Sequence, residues 1–335
     1  MTISDLEKKL DSNPGLRRYG NIRDLIASPQ DPTPLLRLNQ VVDPEATELY
    51  MKLEWFNPFG SIKDRAAKYI LESLEREGKL DGRQLVEPTS GNMGIALAAL
   101  AALKGIKLTV TVPEGVPEEK RIILRMLGAE VWATPDELCP VDHPKDGAIA
   151  LAHSFVLGKA NQGRYLMPDQ YANPDNVRAH YETTGPEIWD QTEGRVRYLF
   201  AGLGTCGTIS GIGRFLKEKD PRIKIIGIEP QKGHKLPGLK NMQESKQPVI
   251  MDRTVIDEIV RIKDEPAYEM TKKLFREEGL VIGPSTGAVV QAAIEYVDGS
   301  GEVGGGVGVV ISPDSGFKYT SYFDCILGEE GKPIV

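Results

Sequence analysis

The sequence predicts an α/β protein built from two three-layer α/β/α domains, each with a mostly parallel, twisted sheet. Short apolar runs alternate with longer segments whose apolar residues recur at helical spacing, and this alternation runs through most of the 335 residues. The alternation occurs in two successive runs, one on each side of about residue 160, which favours two sheets with a cleft between them. The chain is also long enough to bury two medium-sized cores.

The predicted elements follow from these patterns in chain order. Before residue 160, strands at 47–55, 83–88, 107–113 and 129–135 alternate with helices at 66–74, 95–105, 117–128 and 146–159. After residue 160, strands are expected at 195–203, 223–230 and 306–314, and helices at 208–220, 266–279 and 288–297. Gly105 and Gly128 end two of these helices, because glycine readily adopts the left-handed conformation that closes a helix.

Composition and charge exclude several classes of protein. The net charge of -7 and an isoelectric point near 5.4 argue against a nucleic-acid surface. No apolar run reaches the ~18 residues of a membrane span, and the polar N-terminus does not look like a signal peptide. The three cysteines and four histidines show no metal-binding spacing. We therefore expect a cytoplasmic protein with no nucleic-acid, membrane or metal partner.

One lysine stands at the beginning of a predicted helix. Pro58 and Gly60 break regular structure, Ser61 is a good N-cap, and Lys63 follows in or next to the first helical turn. The positive end of a helix dipole disfavours a cation, so a lysine there loses its proton more easily. A neutral amine can form a Schiff base with a carbonyl compound. The alternative is an ordinary exposed lysine at a helix start, and this stretch alone leaves both interpretations open.

Two glycine-containing turns follow predicted strands. The turn at 88–94 offers backbone N–H groups and hydroxyls to an anion, although an ordinary capped turn would have the same composition. The loop at 202–208 matches G-x-G-x-x-G, and Glu229 ends the next strand, so a dinucleotide-binding oxidoreductase is a competing hypothesis. Thr205 and Thr208 add hydroxyls that suit a single phosphate monoester instead. A lysine and a phosphate cradle together are what pyridoxal 5′-phosphate needs.

Five segments together resemble one family of enzymes. The chain is similar to the cysteine synthase and cystathionine β-synthase family, which is fold type II of the pyridoxal-phosphate enzymes and resembles the tryptophan synthase β-subunit. The matching segments, in the family's order, are 57–65, 87–98, 169–189, 201–217 and 282–288. The resemblance implies a larger cofactor-binding domain at 1–48 and 160–335, and a smaller mobile substrate domain at 49–159.

The resemblance also implies roles for individual residues. Lys63 would hold the cofactor aldehyde and move the substrate α-proton, and Asn92 would contact the ring hydroxyl. The phosphate would lie on Gly204, Thr205, Cys206, Gly207 and Thr208. The substrate carboxylate would be held by Thr89, Ser90, Asn92, Met93 and Gln170. Ser285 would line the far side of the cofactor, and Asp314 or Ser315 would face the pyridine nitrogen.

The chain departs from the family pattern at several of these positions. Phe59 stands where a small residue is usual, and Met93 replaces a threonine. Cys206 replaces a glycine of the phosphate loop, which is tolerable if that residue has a negative φ. Asp314 stands near the pyridine nitrogen where many members present serine, so Ser315 is an equal candidate for that contact.

The implied reaction is a β-replacement. A serine derivative would lose its β-substituent to give an α-aminoacrylate, and a sulfur nucleophile would then add to form L-cysteine. Lys232, beside His234 and Lys235, would recognise the dianionic leaving group of O-phosphoserine, or would lie in a solvated basic loop. O-Acetylserine and O-phosphoserine both remain candidate donors. The alternatives are cystathionine β-synthase chemistry, serine dehydratase chemistry, and a pyridoxal-phosphate-binding partner protein with impaired turnover.

The resemblance implies partners as well. In the family an N-terminal segment crosses to a second subunit, so the amphipathic residues 6–26 imply a homodimer. The sulfur source is open among sulfide, thiosulfate, homocysteine and the thiocarboxylate of a sulfur-carrier protein.

Overall fold

Two β-sheets carry the fold, and this confirms the predicted α/β class. The structure is a computed structural model that describes residues 18–43, 48–135, 147–300 and 306–327. The strands described are β1 (Leu35–Arg37), β2 (Glu48–Leu53), β3 (Gln84–Pro88), β4 (Leu108–Pro113), β5 (Glu130–Thr134), β6 (Tyr165–Leu166), β7 (Val196–Gly202), β8 (Lys224–Pro230), β9 (Glu258–Ile262) and β10 (Val307–Ser312).

The strand pairing is mostly parallel, as the sequence predicts. One sheet has six strands in the order β1-β2-β10-β7-β8-β9, and within it only the pairing of β1 with β2 is antiparallel. The other sheet has four strands in the order β5-β4-β3-β6, and all its pairings are parallel. Strands β4 and β10 are buried at every position, because helices cover both faces of a parallel sheet.

Helices connect these strands. Those described are α1 (Lys63–Arg76), α2 (Asn92–Leu103), α3 (Glu118–Met126), α4 (Ala148–Leu157), α5 (Asp175–Ala179), α6 (Gly185–Gln191), α7 (Gly207–Lys219), α8 (Asp264–Glu277), α9 (Pro284–Ser300) and α10 (Thr320–Leu327). A π-helical turn at His180–Thr184 joins α5 to α6. None of the described helices combines the length and apolar character needed to cross a membrane.

The carboxyl ends of strands from both sheets meet at one place. Lys63 follows β2, Thr89 follows β3, Gly204 follows β7 and Asp314 follows β10. The backbone N–H of Ile62 donates to the carbonyl oxygen of Pro313 at 2.8 Å, which ties the start of α1 to the end of β10. Ligands of open α/β sheets bind at this edge, so the topology brings the predicted residues together.

Helix α7 packs unusually closely against α5 and the π-helical turn. A Cβ atom added at Gly211 would lie 2.4 Å from the carbonyl oxygen of Val177 and 2.7 Å from Cβ of His180. A Cβ atom added at Gly207 would lie 2.2 Å from Oδ1 of Asn176. These two glycines, one helical turn apart, therefore allow contact between the helices at the level of the backbone.

A buried ionic cluster fixes α1 against α6. Arg65 Nε donates to Glu54 at 2.7 Å, and Arg65 Nη2 donates to Glu187 at 2.8 Å. Lys52 Nζ also donates to Glu187, at 2.7 Å. All four side chains are fully shielded from solvent. Burying these charges is tolerable because each has an oppositely charged partner.

Several details differ from the sequence predictions. Strands β1, β6 and β9 were not predicted, and α9 begins at Pro284, before the start of the helix predicted at 288–297. The N-cap of α1 is Ile62; Ser61 instead accepts a hydrogen bond from the backbone N–H of Lys63 at 3.3 Å. Much of the amphipathic segment 6–26, namely residues 6–17, lies outside the described residues.

Sheet membership bears on the domain boundaries. Strand β2 belongs to the six-stranded sheet, and β6 belongs to the four-stranded sheet. The boundaries predicted from the sequence, near residues 48 and 160, instead put most of β2 in the smaller domain and β6 in the larger domain. A division into a larger domain at 1–48 and 160–335 and a smaller mobile domain at 49–159 stays a prediction.

Candidate active site

A cavity opens where the two sheets meet, and most of the predicted site residues line it. They are Lys63, Thr89, Ser90, Asn92, Met93, Gln170, Gly204, Thr205, Cys206, Thr208, Ser285 and Asp314. Three predicted residues do not line this cavity: Gly207, Ser315 and Lys232. The cavity therefore joins residues of all five matching segments, which are far apart along the chain, with Asp314.

Lys63 is partly buried at the first position of α1, with its amine in the cavity. Its Nζ donates to Oγ1 of Thr205 at 3.3 Å. Loss of hydration lowers the pKa of Lys63 to about 8, and the nearby Cys206 and Asp314 oppose this shift only in part. A larger share of Lys63 is therefore a neutral amine near neutral pH than for an exposed lysine.

The loop between β7 and α7 brings the start of a helix to the cavity. Thr205, Cys206 and Thr208 line the cavity at the N-terminus of α7. Cys206 is the N-cap residue and has a φ of 64°, so the negative φ that would make this replacement of glycine tolerable is not observed. The chain leaves β7 through a sharp turn that needs the left-handed conformation, which costs a residue other than glycine roughly 1–2 kcal/mol. Backbone N–H groups at a helix start favour an anion such as phosphate.

His180 supports this loop from the π-helical turn. Its Nε2 lies 3.3 Å from Oγ1 of Thr208, and its Nδ1 lies 2.9 Å from Oγ1 of Thr184. Burial, with the nearby charges of Lys63 and Arg65, lowers the pKa of His180 to about 3. The ring is therefore neutral at physiological pH and orients a hydroxyl group without adding a charge.

Gly207 cannot accept a side chain without disturbing this loop. We expect Gly207→Ala to lower the free energy of unfolding by about 2–4 kcal/mol and to weaken phosphate binding, because its Cβ would collide with Asn176. Urea unfolding and equilibrium dialysis with pyridoxal phosphate measure the two effects. The matched control is Gly299→Ala, where nothing lies within 4 Å of the added Cβ. Equal stability of the two variants would contradict the prediction.

Asp314 lines the cavity after the end of β10. Its Oδ2 accepts hydrogen bonds from Asn92 Nδ2 and from the Tyr319 hydroxyl, both at 2.6 Å. Among the described residues its Oδ1 has no hydrogen-bond partner, although the atom is buried. Ser315 faces elsewhere, because its Oγ accepts from the backbone N–H of Phe317 at 3.3 Å and lies 3.4 Å from the carbonyl oxygen of Val281.

The turn after β3 is held by its own hydrogen bonds. Oγ1 of Thr89 accepts from the backbone N–H groups of Gly91 at 3.0 Å and Gly94 at 3.3 Å. Gln170 Nε2 donates to the carbonyl oxygen of Pro88 at 2.9 Å. Glu87 accepts the backbone N–H of Gln170 at 3.0 Å, while burial raises its pKa to about 8. These bonds fix a polar pocket beside Lys63 before any substrate arrives.

Sequence reasoning missed several groups around the cavity. Tyr319 lines it, and buried Lys120 has its Nζ 3.8 Å from the centre of the Tyr319 ring. Lys318 Nζ donates to the carbonyl oxygen of Phe59 at 2.7 Å and to Asn92 Oδ1 at 3.3 Å. A lysine in an amphipathic helix and a tyrosine shortly after the last strand carry no recognisable motif, so the sequence offered no signal for them.

The basic segment after β8 has a different arrangement from the predicted one. Lys232 is exposed and lies away from the cavity. Lys240, which was not predicted, is buried, and its Nζ lies 4.7 Å from the centre of the Tyr171 ring. Recognition of a leaving group by Lys232 stays a prediction.

The acidic residue on which the dinucleotide-binding hypothesis depends, Glu229, is not available to a ligand. Glu229 is buried, and its two carboxylate oxygens accept hydrogen bonds from Arg261 Nε at 2.7 Å and from the backbone N–H of Met242 at 2.9 Å. It is therefore committed within the fold and does not face a bound ribose. In the part of the chain that the structure describes, no group of three His, Cys, Asp or Glu side chains could hold a metal ion.

Comparison with known proteins identifies the family. Residues 26–314 match the pyridoxal-phosphate dependent enzymes. The chain belongs to this family. This pyridoxal-phosphate dependent enzyme is 37% identical over 299 residues to cysteine synthase B of Escherichia coli (strain K12). The match covers 89% of this chain and 94% of that protein. It shares 40% identity over 299 residues with cysteine synthase of Staphylococcus aureus (strain Mu50), covering 86% and 93% respectively.

Solved structures of this family have the same fold. A hydrogen sulfide-producing enzyme from Fusobacterium nucleatum superposes with a TM-score of 0.81 at 36% identity, covering 90% of this chain and all of that chain. The similarity extends through both sheets, so it confirms fold type II for this pyridoxal-phosphate dependent enzyme.

The residues of the cavity fit the family's cofactor. Pyridoxal 5′-phosphate needs an amine for its aldehyde, a cradle for its phosphate and a partner for its ring nitrogen. Lys63 offers the amine, and the N-terminus of α7 offers the cradle. The buried Oδ1 of Asp314, unpartnered among the described residues, has the acceptor capacity that a protonated ring nitrogen would use.

Proposed function

We propose that this enzyme is a cysteine synthase, a pyridoxal-phosphate-dependent transferase. It would replace the β-substituent of O-acetylserine or O-phosphoserine with a sulfur nucleophile and release L-cysteine. The observation that carries the proposal is Lys63, whose amine lies between a phosphate cradle and the pocket formed by Thr89 and Gln170. The names of the relatives from Escherichia coli and Staphylococcus aureus support the same activity.

Lys63 would carry the chemistry of proton transfer. When bound, pyridoxal phosphate makes the α-hydrogen of an amino acid acidic by accepting its electrons. Lys63 Nζ would hold the cofactor, remove this proton and later return it. Its lowered pKa, near 8, suits both tasks because a general base works best when its pKa is close to the operating pH.

The substrate would be oriented by the turn after β3. Ser90, Asn92, Met93 and Gln170 would hold its carboxylate through hydroxyl, amide and backbone N–H groups. The hydroxyl of Thr89 can still donate its hydrogen, because its oxygen only accepts from Gly91 and Gly94. Orientation of this kind places the α-hydrogen beside Lys63.

The remaining residues would hold the cofactor itself. Gly204, Thr205, Cys206, Gly207 and Thr208 would bind the phosphate at the start of α7. Asn92 would contact the ring hydroxyl, and Ser285 would line the far side. Asp314 would receive the ring nitrogen, because its carboxylate lines the cavity whereas Ser315 caps the turn that follows.

The pH dependence of cofactor uptake follows from Lys63. Only the neutral amine attacks the aldehyde, and the pKa of Lys63 is lowered from 10.5 to about 8. We expect the rate of uptake by the apoprotein to rise about tenfold per pH unit below pH ~8 and to level off above it. Stopped-flow absorbance between pH 6.5 and 10 measures this rate. A rise that continues through pH 9.5 would contradict the lowered pKa.

Product analysis tests the proposed function. The purified enzyme is incubated with O-acetylserine or O-phosphoserine, with and without sulfide, and both amino and keto acids are quantified. Cysteine formed only with sulfide supports the synthase, and the faster donor identifies the leaving group. Pyruvate formed equally with and without sulfide indicates dehydratase chemistry. If no product forms from either donor, the remaining interpretation is a cofactor-binding protein with impaired turnover.

The assembly and location are also proposals. The enzyme would form a homodimer and act in the cytoplasm on small amino-acid substrates, with sulfide or a sulfur-carrier protein as the donor. Light scattering during gel filtration measures the mass of the assembly. A mass of one chain at assay concentration would rule out the dimer.

A further inference from the structure

One buried asparagine connects the substrate pocket to the loop at the start of α7. Asn176 lies on α5, and its side chain is fully shielded from solvent. Its Nδ2 donates to the backbone carbonyl oxygen of Gln170 at 2.8 Å and to Oγ1 of Thr205 at 3.3 Å. Gln170 and Thr205 belong to different segments of the chain, and both line the cavity. A single amide group outside the lining of the cavity therefore joins two of its parts.

The surroundings of Asn176 fix the orientation of this amide group. A backbone carbonyl oxygen only accepts hydrogen bonds, so the amide atom beside Gln170 is the NH2 group. The other amide atom, Oδ1, is buried and has no hydrogen-bond partner among the described residues. It lies against Gly207, where an added Cβ atom would be 2.2 Å from it. Asn176 therefore cannot turn its oxygen toward Thr205 without losing its bond to Gln170.

Gln170 is a fixed anchor for the asparagine. Its backbone N–H donates to Glu87 at 3.0 Å, and its side-chain Nε2 donates to the carbonyl oxygen of Pro88 at 2.9 Å. These two bonds hold Gln170 to the end of β3, and its own carbonyl oxygen accepts from Asn176. The position of the Asn176 NH2 group is thus set by contacts that do not depend on any ligand.

The hydroxyl oxygen of Thr205 accepts two hydrogen bonds. One comes from Asn176 Nδ2 and the other from Lys63 Nζ, both at 3.3 Å. A hydroxyl group has two acceptor positions and one hydrogen to donate. Because both acceptor positions are used, the hydrogen points away from these two donors. Thr205 lies at the start of α7 in the lining of the cavity, so this hydrogen is left for a ligand there.

We propose that Asn176 is a positioning residue, which holds the Thr205 hydroxyl as a hydrogen-bond donor to the phosphate of bound pyridoxal phosphate. Lys63 would use its amine to hold the cofactor aldehyde, and Asn176 is then the donor that keeps the hydroxyl oriented. A donor that is oriented in advance binds a charged oxygen more strongly, because less freedom is lost on binding. The inference rests on the proposed function in one respect, namely that the phosphate lies at Thr205.

The test measures how much the phosphate group contributes to binding. Dissociation constants for pyridoxal and for pyridoxal 5′-phosphate are measured with the whole chain freed of cofactor. Both compounds carry the same ring and aldehyde, and the internal hemiacetal of free pyridoxal alters its constant by the same factor for every variant. The ratio of the constant for pyridoxal to that for pyridoxal phosphate therefore reports the phosphate contacts. A general loss of structure weakens both compounds and does not lower this ratio selectively.

Five variants make the comparison specific. Asn176→Ala removes the amide group, and Asn176→Ser keeps a polar group that is too short to bridge both acceptors. Thr205→Val removes the hydroxyl and keeps the shape of the side chain, and a double variant combines Asn176→Ala with Thr205→Val. The matched control is Asn173→Ala, which removes a nearby asparagine that donates to the carbonyl oxygen of Pro168 at 3.0 Å and does not contact the loop. Thermal unfolding confirms that each variant is folded.

We expect Asn176→Ala and Asn176→Ser to lower the ratio at least about fivefold, and Thr205→Val to lower it at least about tenfold. The double variant should match Thr205→Val within about twofold, because Asn176 acts through this hydroxyl. Asn173→Ala should leave the ratio within about twofold of that of the original protein.

Three results would overturn the role of Asn176: an unchanged ratio in its variants, an equal fall in Asn173→Ala, or a further fall in the double variant. An unchanged ratio in Thr205→Val would overturn the contact between this hydroxyl and the phosphate. Synthesis of cysteine is tested separately by product analysis, so failure of the proposed function is distinguishable from failure of this inference.

Discussion

Replacement of Lys63 by alanine is expected to remove the visible absorption of the bound cofactor and to lower cysteine synthesis by at least about 10⁴-fold. The side chain would serve both as the attachment point and as the base, so its loss removes two contributions at once. Neither Lys120 nor Lys318 can take its place, since they point at Asp314 and at backbone oxygens near Phe59 respectively. Absorbance spectra and a coupled assay for cysteine provide the two measurements.

The matched control for this experiment is Lys68→Ala, which removes a lysine from the same helix outside the cavity. It should retain both the absorption band and the activity. If Lys63→Ala keeps a visible band that resists dialysis, the cofactor is attached elsewhere, and the proposed role of Lys63 is wrong.

Replacement of Arg65 by methionine is expected to lower the free energy of unfolding by about 3–5 kcal/mol. Methionine leaves Glu54 without its guanidinium partner and Glu187 with Lys52 alone, and these carboxylates are buried. An unpaired buried charge costs far more than a lost surface contact. The measurement is the urea midpoint with its slope, taken on the apoprotein so that cofactor binding does not contribute.

A surface pair gives the comparison for this second prediction. Arg222 donates to Asp220 at 2.9 Å, but its side chain is 83% exposed. Arg222→Met should therefore leave the free energy of unfolding nearly unchanged. If the two arginine variants are equally stable, the buried cluster does not make the contribution assigned to it.

The sequence predicted the position of a site residue best where a short motif directly follows a strand. Lys63 and the loop at 202–208 were predicted correctly to lie after strands, because apolar strands and glycine-rich turns leave a local signal. The parallel topology then brings such loops to one edge, so their convergence could also be anticipated. The roles of the individual residues are a separate matter, which the proposed experiments address.

Other features depend on tertiary contacts that no local pattern records. Lys120 looks like an ordinary charged position of an amphipathic helix until the fold places Tyr319 beside it. Cys206 has a left-handed conformation because the loop between β7 and α7 demands it, whereas the sequence pattern favours glycine there. Strands β1 and β9 lie at the edges of their sheet, where burial is incomplete and the apolar signal is weak.

The glycine contacts of α7 make one side of the cavity, at the start of this helix, more rigid than the other side, around Asp314. Gly211 brings this helix against the backbone of Val177, and Gly207 brings it against the side chain of Asn176, so the start of α7 has no slack into which it could relax. The Asp314 side of the cavity instead packs against the long side chains of Lys120 and Lys318. We therefore expect the amide protons of 208–212 to exchange with solvent far more slowly than those around 118–121. Substrates would then enter and products leave by displacement of the Asp314 side of the cavity, while a phosphate bound at the start of α7 would stay fixed.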